Sequence, residues 1–109
     1  MNNSVLILNT SCGKFLIDFN TITRIEASSN YCKVFFSSGQ TLVTAKVLKW
    51  FEEKLPPQYF VRLSRGHLVN NLFLKPNQCF EKGLLMQTGE FIAVSRRRKK
   101  GILKQLLAA

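Results

Sequence analysis

The sequence predicts a mainly-β domain, and three observations carry that prediction. Short runs rich in Val, Ile, Phe and Tyr recur from Val5 onwards, as half-buried strands require. Gly, Asn, Ser and Pro clusters separate them at the spacing of hairpin turns. Helical spacing of apolar residues is confined to the stretch after Thr44 and to the C-terminal segment.

In chain order, Val5 to Leu8 and Phe15 to Phe19 flank Asn9-Thr10-Ser11-Cys12-Gly13 and form an opening hairpin. Ile22 to Glu26 and Tyr31 to Phe36 are the next strands, with Ala27-Ser28-Ser29-Asn30 as a polar loop between them. Ser37-Ser38-Gly39-Gln40 turns the chain into Thr41 to Thr44. The period then changes. Val47, Leu48, Phe51 and Leu55 share one helical face, Thr44 is the expected N-cap, and Pro56-Pro57 ends the helix. An apolar stripe of this kind is read as a helix covering a sheet rather than as a ligand site. Phe60 to Asn71 alternates apolar steps with Arg62, Ser64, Arg65 and His67, a loop between two strand-like anchors. Phe60, Leu63, Leu68 and Val69 are the expected core anchors of that stretch. After Leu72-Phe73-Leu74 and the Lys75 to Gln78 turn, Leu84 to Met86 and Phe91 to Val94 form a hairpin across Gln87-Thr88-Gly89-Glu90. Ser95 caps a last segment in which Ile102, Leu103, Leu106 and Leu107 lie at helical spacing. Gly101 weakens that helix by about 1 kcal/mol relative to Ala.

A length of 109 residues and 46% hydrophobic content predict one domain, over residues 1–109, with a core of its own. Lys and Arg total 16 against 6 Asp and Glu, a formal charge of +10, which favours a polyanionic partner such as nucleic acid. Cys12, Cys32 and Cys79 are odd in number and widely spaced beside a single His, which argues against a disulfide framework or a zinc site. Reduced thiols, no signal peptide, no membrane span and a cytoplasmic location are expected, with no metal or cofactor.

Chemistry-bearing groups are few on the acidic side. Glu52 and Glu53 point to different sides of the predicted helix, so they make no acid/base pair. Cys32 with His67 would need proximity and an orienting third group that nothing in the sequence supplies, so no enzyme is expected. The cations are better organised. Arg62 and Arg65 lie in one loop, Lys33 follows Asn30-Tyr31, and Arg96 to Lys100 form an unbroken run after a strand. Arg forks onto a guanine edge or a phosphate, Lys acts as a point charge, and Ser and Asn add neutral hydrogen bonds. A solvated basic tail is the bland alternative for the Arg96 to Lys100 run, but a tail would not lead into Ile102, Leu103, Leu106 and Leu107. A basic segment followed by those residues also has a weak interfacial character, although membrane association is not expected.

Four motifs in register resemble a known family. Ile22-Thr23-Arg24-Ile25-Glu26-Ala27 with Asn30-Tyr31, the helix Leu48 to Pro56, Phe60-Val61-Arg62-Leu63-Ser64-Arg65-Gly66-His67-Leu68-Val69-Asn70, and Gly89 to Arg97 together resemble the LytTR-type DNA-binding domain, the output module of bacterial response regulators. The resemblance implies an elongated stack of small antiparallel sheets with one short helix at the side and a short C-terminal helix. It also implies loops that enter successive major grooves of double-stranded DNA. On that resemblance Lys33, Arg65 and Arg96 contact bases. Asn30, Arg62, Ser64, Asn70, Ser95, Arg97, Lys99 and Lys100 hold the DNA backbone, with Asn70 equally a strand-end residue fixing its loop. Paired half-sites, a homodimer on DNA, and a receiver or sensor domain outside these residues belong to the same expectation. The family's usual His and Ser of the central motif are Ser64 and Gly66 here, which predicts one neutral or phosphate contact fewer, a more flexible loop and a different specificity. The alternative function is a basic β-rich RNA-binding module, which would expose Tyr31, Phe35 and Phe36 together on one sheet face for stacking.

Overall fold

The computed structural model describes residues 4–108, and it is built from three antiparallel sheets and two helices. The opening hairpin pairs β1 (Val5–Thr10) with β2 (Gly13–Asp18). Leu6, Leu8 and Ile17 point inward while Val5, Ile7 and Leu16 face solvent, the period-2 alternation of a strand pair covered on one side. Its turn is tighter than the sequence predicts, because Thr10 Oγ1 donates to the Gly13 carbonyl and accepts from the Cys12 N–H.

The central sheet has the order β5-β4-β3-β7-β6 and contains β3 (Ile22–Ser28), β4 (Tyr31–Phe36), β5 (Thr41–Thr44), β6 (Phe60–Ser64) and β7 (His67–Asn70). Both of its faces are covered, which is why Ile22, Thr23, Arg24 and Ile25 are all buried in β3. One face carries Ile25, Val34 and Leu68 against the opening hairpin and against α1 (Leu48–Lys54). Phe51 is fully buried there, worth about 2–3 kcal/mol in apolar transfer. The other face carries Val61, Leu63 and Val69 against β8 (Gly83–Leu85), β9 (Phe91–Ala93) and α2 (Lys99–Ala108).

Three local expectations are corrected. Thr44 is not the N-cap of α1: it remains in β5 opposite Cys32, and its hydroxyl accepts from Lys46 N, so the cap position falls to Val47. With extended backbone there, Val47 precedes the helical period and is exposed rather than part of the buried face. In α2, Ile102 and Leu106 meet the core, whereas Leu103 and Leu107 lie a further 100° round the helix and face solvent. The Ser95 cap is present, its hydroxyl accepting from Arg98 N across a 3-10 turn, Arg96–Arg98, that precedes α2.

The packing of β8 on β9 depends on Gly83. A Cβ there would lie 2.4 Å from the Ile92 carbonyl oxygen and 2.7 Å from the Phe91 ring, so only glycine lets the strands approach. The segment before β8 is held by Gln78, whose side chain accepts from Leu85 N and donates to the Leu85 and Lys75 carbonyls, as a neighbouring strand would.

Candidate nucleic-acid interface

Antiparallel pairing brings distant basic segments to one rim of the central sheet. The β3–β4 turn (Ser29-Asn30) and the β6–β7 turn (Arg65-Gly66) lie side by side, because β3 pairs with β7 and the Ala27 N–H donates to the Gly66 carbonyl at 2.8 Å. Ser95 joins the same rim through its N–H, which donates to the Leu63 carbonyl at 2.9 Å. Arg62, Arg65, Ser95, Arg97 and Arg98 then line one cleft of about 410 Å³.

Charge in this cleft is largely uncompensated. Ion pairs among the described residues engage Arg24, Arg62 and His67, and leave Arg65, Arg96, Arg97 and Arg98 without a carboxylate. The run Arg96 to Lys100 also opens a helical segment, where the backbone dipole is positive and no acidic residue stands in the first turn. Cations at that end are mutually unfavourable and unfavourable with the dipole, a cost that a bound polyanion offsets.

Beneath the rim lies a second, different set of charges. Arg24 is buried, with its guanidinium 3.7 Å from the Phe35 ring centroid. It donates through Nη1 to Glu26 at 2.7 Å and through Nε and Nη2 to Glu90 at 3.2 and 2.9 Å. Burial lowers the Arg24 pKa, but the hydrogen bonds to Glu90 and Glu26 more than offset this and the net shift is upward. The same Arg24 hydrogen bonds hold the Glu26 and Glu90 carboxyls below the usual range. His67 meets this set through Nε2, 3.3 Å from Glu26 Oε1.

A family model for the LytTr DNA-binding domain matches residues 13–107. The chain belongs to the LytTR family. Its fold also matches the solved LytTr DNA-binding domain of a response regulator from Bacillus cereus, at 27% identity and a TM-score of 0.76, covering 96% of this chain and 98% of that one. No curated protein matches the chain.

Within this LytTR domain the residues singled out from sequence divide by placement. Asn30, Arg65, Arg96, Arg97 and Lys100 are exposed on or beside the rim, and Ser64, Ser95 and Lys99 are half-buried there. Lys33 is half-buried on β4, opposite Glu26, with Nζ 5.4 Å from the Phe35 ring. Asn70 corrects one expectation. Its side chain is 0% exposed, donating to the Ile22 carbonyl and accepting from Leu72 N, so it has no surface with which to meet a phosphate and serves as the strand-end fixture instead. Arg62 is also committed inward: it pairs with Glu52 at 2.9 Å and donates to the Ser64 and Arg65 carbonyls, which shapes the loop and leaves little of its fork for DNA. Gly66 is bonded at both its N–H, to Ser64 Oγ, and its carbonyl, so this departure from the motif does not leave the loop loose.

Sequence reasoning missed the role of Arg98 as a cleft residue and of Glu26, Glu90 and His67 as the support beneath the loop. Arg98 was readable as the last residue of a turn begun by Arg96, but the support was not, since Arg24 and Glu90 are 66 residues apart. Cys32 and His67 stand on opposite faces of the sheet: Glu26 opposes both His67 and Lys33, and Cys32, the neighbour of Lys33, points into the core. Burial also pushes the Cys32 thiol pKa up, away from a reactive thiolate. Among the described residues, no helix is long and apolar enough to cross a membrane.

Proposed function

We propose that this LytTR domain is a sequence-specific reader of double-stranded DNA in a cytoplasmic transcription regulator, entering successive major grooves with the loops of one rim. The observation that carries the reading is the meeting of the Arg65 loop and the Ser95–Arg98 turn in a single cleft whose exposed arginines lack carboxylate partners among the described residues. Arg65 and Arg96, exposed and without a carboxylate partner among the described residues, take base edges, and Lys33 joins them from β4, past the Ser29-Asn30 turn. Ser64, Ser95, Asn30, Arg97, Lys99 and Lys100 bind the sugar-phosphate backbone, which sets register without reading sequence. Paired half-sites, occupied by a homodimer or by adjacent monomers under the control of a receiver or sensor domain, complete the proposal.

An RNA-stacking platform is not favoured. Tyr31 is exposed, but Phe35 lies under the Arg24 guanidinium and Phe36 packs against the core on the opposite face. Selection of duplex DNA from a random pool, followed by a salt titration of the enriched sequence, tests the proposal. Enrichment of a defined sequence with a steep salt slope is the expected result. A pool that stays random, or single-stranded RNA that competes equally, overturns it.

A further inference from the structure

His67 is the chain's single histidine, and it sits at the base of the β6–β7 loop rather than at its tip. Its ring bridges two chemically different groups: Nε2 lies 3.3 Å from Glu26 Oε1, and Nδ1 lies 3.4 Å from Ser64 Oγ. Ser64 Oγ also accepts from the Gly66 N–H at 3.3 Å. Arg24 donates to the same Glu26 oxygen, Oε1, at 2.7 Å, so the carboxylate cannot turn from His67 without straining a charge-assisted bond.

The hydrogens in this chain of contacts can be counted. A carboxylate only accepts, so a neutral imidazole keeps its hydrogen on Nε2, toward Glu26, and Nδ1 becomes an acceptor. The Ser64 hydroxyl must then donate inward, to Nδ1. When the ring takes up a proton, Nδ1–H donates to the Ser64 oxygen, and the hydroxyl hydrogen is turned away from the ring toward solvent. Ser64 adjoins Arg65 on the rim, where that freed hydrogen can donate to a phosphate oxygen, and the ring adds a positive charge beneath the loop.

We infer that His67 is a positioning residue whose protonation turns the Ser64 hydroxyl outward, so that the affinity of this domain for DNA rises when acidification charges the ring. The inference rests on the proposed DNA-reading function. Charged groups on the His67 face come from three elements, Glu26 and Arg24 of β3, Lys33 of β4 and Glu90 of the β8–β9 turn, while Arg62 of its own hairpin lies across the sheet on Glu52. The two carboxyls are held below the usual range by Arg24 and so stay ionised when the ring takes up its proton, which leaves the direction to the imidazole.

The test measures Kd for the enriched duplex from about pH 5.5 to 7.5, the span in which imidazoles change charge, at constant ionic strength. Wild type is compared with His67→Gln and Ser64→Ala. In parallel, the ring C2–H resonance of wild-type His67 is titrated with and without that duplex. Wild type should bind roughly five- to tenfold tighter at the acid end, the worth of one added charge-assisted contact. His67→Gln should be flat, and Ser64→Ala should retain at most about half of the effect on a logarithmic scale, the part due to ring charge alone. By linkage the duplex should raise the His67 titration midpoint by roughly 0.7 to 1 pH unit. A wild-type ratio below about twofold, a His67→Gln profile matching wild type, or a midpoint unmoved by the duplex overturns the inference. The resonance decides the matter even if His67→Gln fails to fold. A duplex that enriches but binds independently of pH sinks only this inference, whereas a pool that never enriches sinks the DNA reading itself.

Discussion

Arg24 and Arg65 are the same residue type in the same small domain, and they have opposite employments. Arg24 is buried, stacked on Phe35 and forked between Glu26 and Glu90, so it ties the central sheet to the β8–β9 turn. Arg65 is exposed at the tip of a hairpin with no carboxylate partner among the described residues. A formal charge of +10 therefore overstates what the rim offers to DNA and understates the ordering role of its most satisfied arginine. The lesson is that a basic residue earns a place at an interface by lacking a partner of its own.

The comparison is broken most directly at Arg24. Arg24→Met should cost about 2–3 kcal/mol of stability in urea unfolding, less than a fully buried pair because Glu26 and Glu90 keep access to water. An unfolding midpoint equal to wild type would mean that the interior set has no structural role. Arg65→Ala should do the converse: about 1–3 kcal/mol of binding lost and preference relaxed at one base pair, with stability changed by less than about 0.5 kcal/mol. Uniform weakening across sequences would reassign Arg65 to the backbone. Lys99→Ala and Lys100→Ala should each weaken all duplexes alike and lower the salt slope by about one, as seen in filter binding or anisotropy at several salt concentrations.

The smallest effect is a titration. Glu26 and Glu90 have carboxyl pKa values lowered in the folded state, first through the Arg24 hydrogen bonds, so their contribution is present above the unfolded carboxyl range and is lost as pH falls through the folded values. Their side chains are 40% and 44% exposed, which limits each to about 0.5 kcal/mol. Wild-type stability should decline from about pH 5 downward, and Arg24→Met should lack this component of the acid slope. Equal acid slopes in the two proteins would detach the carboxyls from Arg24.

Local features of the fold were legible because local rules write them. Alternation and turn residues mark the hairpins, and Pro56-Pro57 follows the end of α1 at Lys54 closely. The exceptions are also physical. Thr44 has equally good uses in a strand and at a cap, and pairing with Cys32 wins. Leu103 and Leu107 satisfy helical spacing but lie off the single stripe by which α2 touches the core. Motif position singled out Arg65 and Arg96, which are exposed, yet it carried no information about side-chain direction. Asn70 and Arg62 stand in the same motif and turn inward because their acceptors belong to strands or helices met only on folding.

The two backbone bonds that stitch the rim together, Ala27 N to the Gly66 carbonyl and Ser95 N to the Leu63 carbonyl, have a consequence for the target rather than for the protein. Loops tied to one another at their bases hold their tips at a set spacing, like the teeth of a comb. A base pair inserted between two contacted positions moves the far one by about 3.4 Å along the axis, with about a tenth of a turn of rotation. A tied rim cannot stretch to follow it, so targets should tolerate substitutions between contacted positions far better than insertions or deletions.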